Sequence, residues 1–88
     1  MKTYQLDREA FGDLNDILLY VEMRQGEDAA YTLEGEFIDA FERLAATPGL
    51  GHLRPDLTKK LQDFYLLDPY HIIYARGDDP LRIIAILH

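Results

Sequence analysis

Five side chains in the second half of this sequence have the chemistry to engage a partner: Arg54, Tyr74, Arg76, Arg82 and His88. Arginine offers a planar fork of N–H donors that matches carboxylate and phosphate oxygens. Tyrosine and histidine add an apolar ring with one polar edge. Strand alternation sorts these residues. Tyr70, Ile72, Tyr74 and Arg76 share one face, and His71, Ile73 and Ala75 share the other. In the last strand Arg82, Ile84, Ile86 and His88 oppose Leu81, Ile83, Ala85 and Leu87. One sheet face should therefore mix Arg and His with apolar residues. It reads as a concave binding face centred on Arg54, Arg76, Arg82 and His88, with Tyr74 alongside. Ordinary solvated edge charges would give the same pattern, and the residues alone leave both readings open.

Other chemistries find less support. His52, His71 and His88 lie in different elements, with no helical ligand spacing, so no metal site is expected. The absence of cysteine excludes a thiol nucleophile, a disulfide framework and cysteine-ligated zinc. No Ser/His/Asp set or glycine-rich phosphate loop is implied, and no cofactor is expected. Gly49 and Gly51 bracket a turn. Lys59-Lys60 beside Arg54 is the best candidate for a phosphate-facing patch, although such a pair is commonly just solvated surface.

The elements that must position these residues can be read in order. Lys2 to Leu6 forms a short first strand. Asp7 is a good N-cap for a helix from Arg8, with Glu9 favourable in its first turn. Phe11, Leu14, Ile17, Leu18 and Val21 follow helical spacing, and Gly26 suits the C-cap. A second helix runs from about Asp28 to Ala46, where Thr47-Pro48-Gly49 ends it. Gly35 within it costs roughly 1 kcal/mol relative to Ala, which close approach of the first helix would explain. Strands follow near His52–Arg54, at Asp63–Leu67, at Tyr70–Arg76 and at Leu81–His88. Asp68-Pro69 marks a tight turn and Gly77-Asp78-Asp79-Pro80 a hairpin loop. The links are too short for crossover helices, so these strands are antiparallel. The expected fold is α+β: a short N-terminal strand, an antiparallel helical hairpin, then a small antiparallel sheet packed on the helices. Phe11, Leu14, Leu18, Phe37, Phe41 and Leu44 are its expected core.

Eighty-eight residues suit a single domain spanning 1–88, small enough to gain from a partner. With 48% of residues apolar and 28% charged, the chain should be globular. No membrane segment or signal peptide is evident, which points to a cytoplasmic protein. The net charge of −7 lies wholly in the helical half; residues 48–88 balance five basic against five acidic side chains. An anionic partner would have to meet that second half.

Four pieces stand in a fixed order: Ala10-x-x-Asp13-Leu14-x-x-Ile17-x-x-Tyr20, Leu44-Ala45-x-x-Pro48-x-x-Gly51-x-x-Arg54-x-x-Leu57, Tyr70-x-Ile72-x-Tyr74-x-Arg76, and Leu81-x-Ile83-x-x-Ile86-Leu87-His88. Together they resemble the ParE/RelE superfamily, the toxin half of bacterial toxin–antitoxin pairs, and its ParE branch more than its RelE branch. The resemblance covers nearly the whole chain and implies a RelE/ParE-like fold. For the ParE branch it implies a type II (plasmid stabilisation) toxin that inhibits DNA gyrase by protein–protein binding. A cognate antitoxin would neutralise it by wrapping an extended or helical segment around it. The assembly would be a homodimer or a toxin–antitoxin hetero-oligomer. For the RelE branch it implies a ribosome-dependent mRNA endonuclease. Arg54, Arg76 and Arg82, with Tyr74 or His88, would then act on the 2′-hydroxyl and the developing charge. A non-toxic binding module is a third reading. Relatives commonly carry an Arg-Asp-type tail after the histidine that corresponds to His88, where this sequence ends. The acidic balance favours a protein target over RNA.

Overall fold

The two helices are built around short punctuation. In the computed structural model, which describes residues 3–53, 62–77 and 79–88, α1 spans Arg8–Gln25 and α2 spans Glu27–Ala46. Only Gly26 separates them. Its φ of 97° is a conformation that side chains disfavour, and its N–H bonds the Glu22 carbonyl to close α1. Across this one-residue link the chain reverses so that α1 and α2 pack against each other. Asp7 sits at the N-cap as expected, yet its side chain makes no capping bond to the helix.

Before the helices lies β1 (Tyr4–Leu6); after them come a 3₁₀ turn (Pro48–Leu50), β2 (His52–Leu53), β3 (Asp63–Leu67), β4 (Tyr70–Ala75) and β5 (Leu81–Leu87). The sheet order is β1-β5-β4-β3-β2. Strands β2 to β5 pair antiparallel, as their short links require. Asp68-Pro69 joins β3 to β4 as a hairpin that sets Leu67 opposite Tyr70. Strand β1 pairs parallel with β5, placing Tyr4 opposite Leu81. A parallel pair needs a long crossover, and elements from α1 to β4 provide it. The sheet is thus mixed, through its first strand alone.

The core lies between the helical hairpin and one sheet face. Phe37, Phe41 and Leu44 are buried as expected, with Ala40 and Ala45 beside them. Their rings meet the sheet directly: Tyr4 lies 5.2 Å from Phe41 and Tyr70 lies 5.4 Å from Phe37, centroid to centroid. Helix α1 departs from its expected facing at Phe11. Phe11 is 59% exposed and Ala10 is buried in its stead, whereas Val21 is buried and Leu14 and Ile17 pack at the core's margin, as their spacing led one to expect. The small Ala10 lets α1 approach the sheet where Phe11 would hold it off. Gly35 does not serve helix packing: a Cβ there would meet nothing within 4 Å.

The regular alternation expected in the last strand breaks in its middle. Tyr74 pairs with Ile83 and Ile73 with Ala85, leaving Ile84 as the extra residue of a β-bulge. Leu81 and Ile83 face the helices before the bulge, and Ile86 faces them after it. Ile84 and Ala85 together join a second cluster with Phe64 and Ile73 on the opposite face. The bulge therefore buries apolar side chains on both sides of β5.

Candidate interaction face

The bulge also separates the side chains expected to share a face. Arg82 precedes it and His88 follows it. Ala75 pairs with Arg82, which puts Arg76 and Arg82 at one end of the β4–β5 hairpin. His71 pairs with Leu87, which puts His88 at the other end. There the His88 ring lies 5.3 Å from Tyr70, on the helix side of the sheet. Arg54 and the Lys59-Lys60 pair lie outside the described residues.

Each of the two described sheet arginines, Arg76 and Arg82, is matched by a carboxylate. Arg76 donates to both oxygens of Asp63, from Nε at 3.0 Å and from an Nη at 2.8 Å. Asp63 begins β3 opposite Tyr74 and is buried, whereas about half of the Arg76 side chain is exposed. Asp63 strengthens the hold of the Arg76 guanidinium on its proton, first through the hydrogen bonds and then through its charge. Arg82 donates to Asp7 at 3.3 Å and 2.7 Å. This explains the idle N-cap: the Asp7 carboxylate turns to the sheet arginine instead of the helix amides. The Arg82 hydrogen bond holds the Asp7 carboxyl below its usual range.

Tyr74 is fully buried. Its hydroxyl accepts from the Gly51 N–H at 2.9 Å and donates to the Pro48 carbonyl. Burial pushes the phenol above its ordinary value. The hydroxyl thereby ties the α2–β2 junction to the middle of the sheet. Gly51 is required by this contact, because a Cβ there would stand 2.8 Å from Tyr74 Cε1 and 2.9 Å from the Phe64 carbonyl.

A third carboxylate secures the other flank. Beyond Leu6, β1 no longer covers the edge of β5, and the chain turns into α1 after the Asp7 N–H bonds the Ile83 carbonyl. Asp13 on α1 then accepts the Ile86 N–H at 2.9 Å. Sequence reasoning named Asp7 as an N-cap and Asp13 and Gly51 within the ordered motif pieces, but did not find that these residues, with Asp63, hold the arginines, the tyrosine or their strands. An acid opening an otherwise apolar strand, as Asp63 does, was the available signal.

The fold has counterparts among known proteins. A solved structure described as a chromosomal ParDE toxin–antitoxin system from P. aeruginosa superposes with a TM-score of 0.81, over 100% of this chain and 96% of that one. At 18% identity that likeness defines the class of fold alone: an α+β domain with a helical hairpin packed against a mixed sheet. Toxin ParE1 of Caulobacter vibrioides is 33% identical over 88 residues, which are all of this chain and 90% of that protein. The family profile described as the ParE toxin of the type II toxin–antitoxin system parDE matches residues 4–88. The chain belongs to the ParE toxin family of type II toxin–antitoxin systems. No helix among the described residues is long and apolar enough to cross a membrane.

Proposed function

We propose that this chain acts in the cytoplasm as a toxin that inhibits DNA gyrase by protein–protein contact, and that a cognate antitoxin neutralises it. The observation that carries the choice of target is the pairing of Arg76 with Asp63 and of Arg82 with Asp7. An RNA-cutting face needs uncompensated positive charge towards phosphates and a proton-transfer group within reach. Here the two described sheet arginines bring their own counter-charges. The Tyr74 hydroxyl is occupied on both its donor and acceptor sides, and His88 stands at the far end of the hairpin. A folded surface with fixed, charge-balanced side chains suits recognition of another protein. Exposed Phe11, Leu19, Tyr20, Met23 and Tyr31 on the helical hairpin add apolar surface of the kind an antitoxin segment would cover. Overproduction should induce the DNA-damage response while translation in a purified system continues. Cleavage of mRNA only in the presence of ribosomes would instead establish the endonuclease reading.

A further inference from the structure

A pocket of about 290 Å³ opens at the end of the sheet remote from the arginine pairs, lined by Asp16, Ile17, Tyr20, Tyr70 and His88. Two elements converge on it with the end of β5. Asp16 and Tyr20 stand one turn apart on α1 and so share a flank of that helix. Tyr70 opens β4, and its ring is tilted by 32° against His88 at 5.3 Å. Three aromatic rings and one side-chain carboxylate thus border one small space, with Ile17 beside them.

The carboxylate is uncommitted. Asp7 and Asp63 each hold an arginine, and Asp13 holds the Ile86 amide. Asp16 has no hydrogen bond or ion pair among the described residues. Aromatic faces attract cations through their quadrupole, and a carboxylate adds direct charge. A guanidinium satisfies both together, because it can stack on a ring while its N–H fork reaches the acid. The chain already uses this chemistry next door. Arg24 lies 5.3 Å from the Tyr20 centroid and donates to its hydroxyl at 3.1 Å. Arg24 is not part of the pocket wall, so it steadies the Tyr20 ring and leaves the space open. The helical half, which carries the whole net charge of −7, adds a long-range pull on a cation.

We propose that this pocket receives a single arginine side chain presented by a basic peptide segment of a partner protein. The proposal does not depend on which target the toxin poisons. It is tested by NMR titration of the full chain, at neutral pH, with acetyl-Gly-Arg-Gly-amide and with the same peptide carrying citrulline, the neutral isostere. Saturable shifts of the Tyr20, Tyr70 and His88 ring signals are expected with the arginine peptide. Citrulline should bind about three- to fivefold more weakly, the share that a cation–π contact and one exposed carboxylate supply. Asp16→Asn should weaken the arginine peptide to a similar degree without lowering Tm, since Asp16 is exposed. Equal binding of the two peptides, indifference to Asp16→Asn in a folded protein, or shifts confined to other residues would overturn the proposal.

Discussion

Arg76 and Asp63 form a two-point ion pair across β3 and β4 in which the carboxylate is 1% exposed and the guanidinium side chain 49%. The pair is asymmetric: water can replace Asp63 as a partner for the half-exposed Arg76, whereas Arg76 is the one side chain among the described residues that pairs with the buried Asp63. Arg76→Ala strands a buried charge, whereas Arg76→Lys keeps the charge and loses the fork. Thermal melts should rank wild type above the lysine variant, and the lysine variant above alanine. Equal melting of wild type and Arg76→Ala would show that the pair is only surface decoration.

The Tyr74 hydroxyl is a structural latch, and Tyr74→Phe leaves the Gly51 N–H and the Pro48 carbonyl without it. Loss of about 1–3 kcal/mol is expected from denaturant unfolding. Gly51→Ala should destabilise by a comparable amount, about 1–3 kcal/mol, because the added methyl overlaps the same ring.

The same phenol sets an alkaline limit. Its folded value is raised by burial above the ordinary 10.0. The unfolded chain therefore gives up this proton first as pH rises. Stability should be complete below about pH 10 and fall as pH climbs through the folded value. A pH series of Tm for wild type and Tyr74→Phe checks this; the variant should have the shallower alkaline slope.

The facing of α1 gives a sharp contrast between phenylalanines. Phe37→Ala or Phe41→Ala should cost about 3–5 kcal/mol, since each ring is buried against the sheet. Phe11→Ala should change stability by no more than about 0.5 kcal/mol. If Phe11→Ala proves the more damaging, the α1 register is different.

Phe11 also shows where the sequence was legible and where it was not. The helix ends were marked by local chemistry at Asp7, Gly26 and Thr47-Pro48, and the strands by their apolar runs and turns. Helical spacing put Phe11, Leu14, Ile17, Leu18 and Val21 on one face of α1; Leu14, Ile17 and Val21 do turn inward, but Phe11 is exposed and the small Ala10 beside it is buried instead. The bulge at Ile84 had no local signal, because Ile83, Ile84 and Ala85 are all apolar and could face either way. That one extra residue put His88 on the sheet face opposite to that of Arg82. The pairing of Arg82 with Asp7 spans 75 positions and that of Arg76 with Asp63 spans 13. Such partners become visible only once strand register brings them together. The residue types of the candidate face could be named from sequence; their separation and neutralisation could not.

The most direct measurement is inhibition of supercoiling by purified DNA gyrase with this chain added, run beside ribosome-dependent cleavage of an mRNA. Expected is inhibition of gyrase with the mRNA left intact, and loss of that inhibition when the cognate antitoxin is supplied. Uninhibited gyrase together with ribosome-dependent cutting of the mRNA would contradict the protein-contact mechanism.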